Sequence, residues 1–197
     1  MNNGIAFFDF DGTLTYRDSI ADFILFSKSW PQALLGGIIL SPTLLAYGLK
    51  LQNNSLAKGK ALTYFFGGMA ESELICKGHQ YATQRIPQIL KPAGLEKIRW
   101  HQEQNHKVVI VSASIDLWLQ GWTESLDMDL IATQLETVNG LITGQYVGEN
   151  CYGEEKVRRI KAAYDLDNYS EIYAYGDTPG DKPMLALAHF PFYRPFK

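Results

Sequence analysis

A short apolar segment that runs directly into two aspartates is the feature that most constrains the fold of this 197-residue chain. Residues 4–10 are too few for a helix and rich in apolar side chains, so they predict a fully buried strand. Asp9 and Asp11 stand at its end, one residue apart, and Gly12 and Thr13 follow at once. A strand buried on both faces is typical of a parallel sheet covered by helices. Two carboxylates at its end require a counter-charge, or one of them must stay protonated.

Strand and helix patterns alternate in the second half of the chain. The strand patterns are residues 107–111, 171–175 and, more weakly, 129–136. Helical patterns occur at about residues 115–126 and 154–164. An Asn139-Gly140 pair between alternating apolar residues predicts a β-hairpin. The alternation predicts the α/β class, with a parallel sheet between two layers of helices in a Rossmann-like three-layer arrangement.

The segment from residue 17 to residue 100 has a different character. No convincing strand pattern occurs in it, and its helical stretches are separated by prolines at positions 31, 42, 87 and 92. We therefore expect a helical insertion, or cap, at 17–100. The α/β core would then consist of residues 1–16 and 101–197.

One part of this insertion, residues 31–49, carries no charge at all. Its length approaches that of a membrane span, although Gly36, Gly37, Ser41 and Pro42 are unfavourable for one. Pro42 is expected to divide the run into two short helices. The run allows three interpretations, which are a pair of buried cap helices, a surface that dips into lipid, and a true span.

Polar side chains gather where the predicted strands end. The groups are Asp9 to Thr13 after the first strand, Ser112 to Ser114 after the second, and Gly176 to Asp181 after the strand at 171–175. Lys156 opens the helix that precedes this last strand. Ligands of parallel sheets bind beyond the carboxyl ends of the strands. We therefore expect all four features to meet at one edge of the sheet.

These residue types suit a phosphoryl group together with a metal ion. Asp9, Asp11 and Asp177 offer hard oxygen ligands of the kind that Mg²⁺ takes in proteins. Lys156 adds a positive charge, and the Ser112 hydroxyl with backbone N–H groups can hold phosphate oxygens. No Ser-His-Asp set is evident, so the available nucleophile is a carboxylate. The combination predicts phosphoryl transfer, in which a protein positions groups and neutralises charge.

The motifs, in this order, resemble the haloacid dehalogenase (HAD) superfamily of phosphatases over nearly the whole chain. The sequence DFDGT resembles its first motif, VIVSAS its second, Lys156 its third and GDTPGD its fourth. The insertion at 17–100 is similar to the helical cap of that family. Residues 133–157 resemble subfamily IB, in the phosphoserine-phosphatase-like branch. The resemblance implies a HAD-like α/β core and phosphatase activity.

The resemblance also implies a role for each motif residue. Asp9 would be the nucleophile that becomes phosphorylated. Asp11 would be the general acid for the leaving alcohol and then the base that activates water. Ser112 and Ala113 would bind the phosphoryl oxygens, and Lys156 would neutralise Asp9 and the phosphate.

A Mg²⁺ cofactor is implied in the same way. Its ligands would be the Asp9 and Asp177 carboxylates and the backbone carbonyl of Asp11. Asp181 would support the ligands of the metal or orient Lys156.

The rest of the substrate has two interpretations. In phosphoserine phosphatases an acidic residue shortly after the first motif binds the amine of the substrate, and Asp18 occupies a similar place, although it is equally suited to cap a helix. The uncharged segment at 31–49 and the ending FYRPF at 192–196 resemble HAD-type phosphatidylglycerophosphatases. The first resemblance implies a small soluble phosphomonoester. The second implies a lipid phosphate, with residues 31–49 in peripheral contact with a membrane.

Charge and cysteine content argue against several kinds of binding partner and metal site. The net charge of −3 and the lack of a basic stripe predict no nucleic-acid binding. Cys76 and Cys151 form neither a disulfide framework nor a zinc site. We expect a cytoplasmic protein, either free or peripheral at the inner face of the membrane, and no feature indicates an oligomeric state. A phosphoaspartate switch without turnover would use similar groups, but Asp11 and the long insertion argue against it.

Overall fold

A computed structural model describes residues 3–49 and 54–196. Its strands are β1 Gly4–Phe8, β2 Lys107–Ile115, β3 Asp129–Thr133, β4 Leu135–Val138, β5 Leu141–Tyr146, β6 Glu171–Gly176 and β7 Phe190–Tyr193. Five of them form one parallel sheet in the order β3-β2-β1-β6-β7, and β4 pairs with β5 in an antiparallel hairpin. β1 therefore lies at the centre of the sheet, with β2 and β6 beside it.

Helices account for most of the remaining chain. They are α1 Ser19–Ser27, α2 Trp30–Gly48, α3 Asn54–Phe66, α4 Glu71–Gln84, α5 Ile86–Ile89, α6 Pro92–Glu103, α7 Asp116–Ser125, α8 Glu154–Ala163 and α9 Lys182–Leu185. Short 3₁₀ turns occur at Leu166–Asn168 and Pro179–Asp181. The predicted α/β fold with a parallel sheet is confirmed.

Alternate side chains of the central strands pack into two separate cores. Ala6 and Phe8 of β1 belong to the core that includes side chains of α1, α4, α6 and α7. Ile5 and Phe7 point to the opposite face and join the core under α8 and α9. Successive residues of a strand face opposite sides of the sheet, so a central strand covered on both sides must be apolar throughout. This is why the run in front of Asp9 shows no polar alternation.

The predicted strand at 129–136 is divided in the structure. Its first part is β3, and its last part begins β4 of the hairpin. The predicted Asn139-Gly140 turn is present, with φ values of 51° and 76° at the two residues. A two-residue turn with both φ values positive matches the twist of the flanking strands.

The described part of residues 17–100 is helical, and none of the strands of the sheet lies in it. α4 packs closely on α7 of the core, because Gly78 leaves no side chain between the helices. A Cβ atom at this position would lie 2.0 Å from the Leu117 carbonyl oxygen. The predicted boundary between residues 100 and 101 falls inside α6, which packs against β2. The division into cap and core at these residues stays a prediction.

The expectation that Pro42 divides the uncharged run is wrong. α2 is a single helix of 19 residues with Pro42 inside it. A proline has no N–H to donate to the carbonyl four residues earlier, which here belongs to Ile38. The Ser41 hydroxyl donates to that Ile38 carbonyl at 2.7 Å and replaces the missing bond. Within the described chain, no helix is long and apolar enough to cross a bilayer.

Candidate active site

The end of β1 carries Asp9 and Asp11 into a tight turn. The Asp9 N–H donates to the Tyr175 carbonyl at 2.9 Å, so the strand pairing continues up to this residue. Gly12 then adopts a φ of 80°. A Cβ atom there would lie 2.6 Å from Asp177 Oδ2, so both the backbone conformation and the close approach of Asp177 favour glycine.

Asp9, Lys156 and Asp181 form a buried ionic cluster. Lys156 Nζ donates to Asp9 Oδ1 at 2.6 Å and to Asp181 Oδ1 at 2.7 Å. All three residues are at most 6% exposed. α8 supplies the lysine, β1 leads into Asp9, and the turn Pro179–Asp181 supplies the second carboxylate. Lys156 is thus the counter-charge that two neighbouring carboxylates need.

Burial and charge act against each other in this cluster. Burial raises the pKa of the Asp9 carboxyl to about 7, although the Lys156 ammonium lowers it. Burial lowers the pKa of Lys156, but Asp9 and Asp181 outweigh it and leave that pKa above its ordinary value. Burial also opposes ionisation of Asp181, yet Lys156 and hydrogen bonds from Thr178 hold its pKa below the usual range. A further cation beside Asp9 would favour its ionised form.

The carboxylates of Asp9, Asp177 and Asp181 offer oxygen atoms that lie within 4.8 Å of one another. The Thr13 hydroxyl lies 2.9 Å from Asp9 Oδ2 and 3.0 Å from Asp177 Oδ1. Asp181 has little capacity left, because Oδ1 accepts from Lys156 and Oδ2 accepts from the backbone and hydroxyl of Thr178. The hard-oxygen set fits Mg²⁺, and Asp9 and Asp177 would be its ligands, with Asp181 as support.

The Asp11 side chain does not belong to this group of three carboxylates and contacts two serines, of which Ser114 was predicted among the polar residues at the strand ends and Ser19 was not. The Ser114 hydroxyl donates to Asp11 Oδ2 at 2.5 Å, and the Ser19 N–H donates to Asp11 Oδ1 at 2.7 Å. The two hydroxyls lie 2.7 Å apart. Burial and the Asp18 carboxylate raise the pKa of Asp11, while Lys58 and the serine hydrogen bonds oppose that shift. Asp11 therefore has different hydrogen-bond partners from Asp9.

Most of the predicted site residues line one cavity, but Ser112 does not. Asp9, Asp11, Ala113 and Lys156 line one cavity between the core and α1–α3. Ser112 is fully buried, and its hydroxyl accepts from the Ser114 N–H at 3.0 Å. Its role in phosphate binding stays a prediction.

Asp18 serves as the N-cap of α1. One of its oxygens, Oδ1, accepts from the Ile20 and Ala21 N–H groups at 3.0 and 3.1 Å. Its other oxygen lies 3.9 Å from Lys58 Nζ, and both residues line the same cavity as Asp9. The cap role and a place beside the substrate are thus compatible.

The serine contacts of Asp11 lead to a first prediction. We expect Ser114→Ala to lower kcat/KM for alkyl phosphates about 10-fold, because Asp11 is predicted to be the general acid, and an acid contributes through its position and protonation. The value for p-nitrophenyl phosphate should fall less, since that leaving group needs no proton. Ser125→Ala is the control, because the Ser125 hydroxyl donates to the Trp122 carbonyl within α7. An equal loss on both substrates would indicate a structural role only.

Comparison with known proteins identifies the family of this chain. A family model of haloacid dehalogenase-like hydrolases matches residues 6–186. The chain belongs to this family. Protein CicA of Caulobacter vibrioides is 35% identical over 192 residues, which are 96% of this chain and 85% of CicA. Phosphoserine phosphatase SerB1 of Mycobacterium tuberculosis is 24% identical over 189 residues, which cover 92% of this chain and 61% of SerB1.

A solved structure shares the fold as well. The crystal structure of a protein with unknown function from Bordetella pertussis Tohama I superposes with a TM-score of 0.80 and 22% identity. The alignment covers 95% of this chain and 88% of that one. The predicted membership in the HAD superfamily is confirmed.

Proposed function

We propose that this HAD protein hydrolyses a phosphomonoester with Mg²⁺ through an aspartyl-phosphate on Asp9. The observation that carries the proposal is the contact of Asp9 with Lys156 at 2.6 Å, next to Asp177 and in the same cavity as Asp11. A carboxylate oxygen of Asp9 attacks phosphorus, and the bond from phosphorus to the leaving alcohol breaks. Asp11 gives its proton to that alcohol.

The second half of the reaction returns both carboxyls to their initial state. Asp11 takes a proton from water, and the resulting hydroxide attacks phosphorus. Inorganic phosphate leaves, and Asp9 regains its carboxylate. Lys156 remains within hydrogen-bonding distance of Asp9 and neutralises charge near it. When bound, Mg²⁺ supplies further positive charge beside Asp9 and Asp177, and backbone N–H groups at Ser112 and Ala113 offer phosphate contacts.

For the substrate class, we propose a lipid phosphate at the bilayer surface. α2 carries no charge, and six of its large apolar side chains are at least half exposed, as is that of Leu49 directly after the helix. The seven are Trp30, Leu34, Leu35, Ile38, Ile39, Leu45 and Leu49. We call this set the apolar face of α2. Exposed apolar patches of this kind are typical of protein or membrane contact, and the adjoining cavity leads to Asp9. Peripheral insertion at the inner membrane surface accounts for both features.

A small soluble phosphomonoester such as phosphoserine is the second candidate. It is favoured by the similarity to SerB1 and by Asp18, whose carboxylate lines the cavity. A phosphoserine carboxylate also needs a cationic partner, and arginine is absent from the cavity lining found in the described chain. Lys58 is the lysine that the cap contributes to the cavity lining, and its ammonium already faces the Asp18 carboxylate. A phosphoaspartate switch without turnover is a third candidate, which the match to hydrolases disfavours.

The test has two parts. Phosphate release with and without Mg²⁺ is measured for phosphatidylglycerophosphate, phosphoserine and p-nitrophenyl phosphate, and we expect repeated, Mg²⁺-dependent turnover with preference for the lipid. Release limited to a single turnover would support the switch instead, and preference for phosphoserine would overturn the lipid assignment.

Membrane contact is measured by co-sedimentation with phosphatidylglycerol–phosphatidylcholine vesicles. We expect the protein to sediment, and Ile38→Asp to leave it in the supernatant, because Ile38 is 61% exposed on the apolar face of α2. Val147→Asp is the matched control, since Val147 is 51% exposed outside that face. Wild-type protein that stays in the supernatant would contradict the proposed contact.

A further inference from the structure

The cavity that contains Asp9 and Asp11 extends far beyond the space that a phosphate needs. Its volume is about 560 Å³. Asp9, Asp11 and Lys156 lie at its inner end, and its outer walls come from α1, α2 and α3. Any leaving group that is attached to a phosphate at Asp9 must occupy this space. The chemistry of the walls therefore reports on the leaving group.

The polar groups of the cap that line the cavity are concentrated at one place. Asp18 and Lys58 face each other at 3.9 Å, and both line the cavity together with Asp11. The other cap residues in the lining are apolar, and they include Ile24, Leu40 and Phe65. A leaving group that matches these walls has polar atoms next to its phosphate and an aliphatic part farther out.

The outer end of the cavity opens beside the apolar face of α2. Gly37, which is exposed, belongs to the cavity lining and neighbours Ile38 of that face. Leu25 of α1 also lines the cavity and is 57% exposed. An aliphatic chain leaving the cavity would therefore pass directly into whatever apolar phase covers α2.

Two adjacent glycines of α2 differ in the space around them. A Cβ atom at Gly36 would lie 2.2 Å from the Phe65 ring, so this glycine is needed for close packing of α2 on α3. A Cβ atom at Gly37 would meet nothing within 4 Å. Packing therefore does not require glycine at position 37. Glycine also destabilises a helix, so its presence here needs another reason. The missing side chain widens the cavity at its outer end.

We propose that this cavity is a binding groove for one aliphatic chain of the substrate, and that Gly37 sets the space available to it. The polar part of the leaving alcohol lies near Asp18 and Lys58, and the chain runs between α1, α2 and α3 past Gly37. This inference rests on the proposed phosphatase function and deepens its lipid assignment.

The experiment uses soluble n-alkyl phosphates from ethyl to octyl, below their micellar concentrations and without vesicles. Membrane recruitment cannot contribute, so any effect of chain length reports on the groove. We expect kcat/KM of the wild-type enzyme to rise by about threefold for each added methylene that becomes buried. Gly37→Leu should remove the rise for the longer chains and lower the octyl value at least about 10-fold, a much larger loss than for ethyl phosphate.

Gly48→Leu is the matched control, because Gly48 is also an exposed glycine of α2 with nothing within 4 Å of a Cβ atom. It lies outside the cavity lining and should behave as wild type. Gly37→Ala, a smaller change at the same site, should give a weaker loss for octyl phosphate. Thermal unfolding of each variant checks that the fold is retained.

The outcomes separate this inference from the function on which it rests. Phosphate release that is independent of chain length in the wild type would overturn the groove and leave the phosphatase function standing. Equal losses for ethyl and octyl phosphate in Gly37→Leu would also overturn it. Absence of release from every ester, including p-nitrophenyl phosphate, would overturn the proposed function itself.

Discussion

Replacing Asp9 with asparagine is expected to reduce phosphate release by at least about 10⁴-fold while the protein remains folded. An amide cannot form the acyl-phosphate bond, because its oxygen is a far weaker nucleophile than a carboxylate. The side chain keeps its shape, and its carbonyl oxygen can still accept from Lys156, which lies 2.6 Å from Asp9 Oδ1. Turnover of p-nitrophenyl phosphate with Mg²⁺ is the measurement.

Asp167→Asn is the matched control, because Asp167 is exposed and lies in the turn Leu166–Asn168. It should keep wild-type activity. The melting temperatures of the wild type and of both variants should agree within a few degrees. Undiminished turnover in Asp9→Asn would exclude Asp9 as the nucleophile. A mass increase of one phosphoryl group in acid-quenched wild-type enzyme, lost in Asp9→Asn, would identify the phosphorylated residue directly.

The elements that the sequence predicted best are those governed by local pattern and by the edge of a parallel sheet. The apolar run before Asp9 could be nothing but a buried strand, and it is the central one. Residues 171–175 predicted its neighbour β6 for the same reason. Because strand ends of a parallel sheet share one edge, the approach of Asp177 and Lys156 to Asp9 also followed from the motif order.

Other features depended on contacts that no local pattern contains. Ser19 follows a helix cap and looks like an ordinary first residue of α1, yet its N–H donates to Asp11. β7 was not predicted, because the segment is short and contains Pro191. It is an edge strand, where a proline is tolerated. The continuity of α2 through Pro42 has a local explanation instead, since the Ser41 hydroxyl donates to the Ile38 carbonyl that has no N–H partner at Pro42.

The buried lysine determines whether the two carboxylates can stay ionised side by side, and its removal is the second large effect that we expect. Lys156→Met keeps the length and the apolar stem of the side chain but leaves Asp9 and Asp181 without the ammonium that both contact. Removing one partner of a buried ionic cluster costs about 3–5 kcal/mol. We expect the free energy of unfolding to fall by that amount, and phosphate release to fall by at least about 10³-fold.

A second substitution tests whether like-charge repulsion causes the loss of stability. In Lys156→Met/Asp181→Asn an uncharged amide replaces one of the two carboxylates. The double variant should therefore recover part of the free energy of unfolding without recovering activity. Lys161→Met is the control, because Lys161 belongs to the same helix α8 and is exposed. Urea unfolding monitored by tryptophan fluorescence provides the measurement. If Lys156→Met is as stable as the wild type, the lysine does not offset the repulsion between Asp9 and Asp181, and protonation or bound water must reduce that repulsion instead.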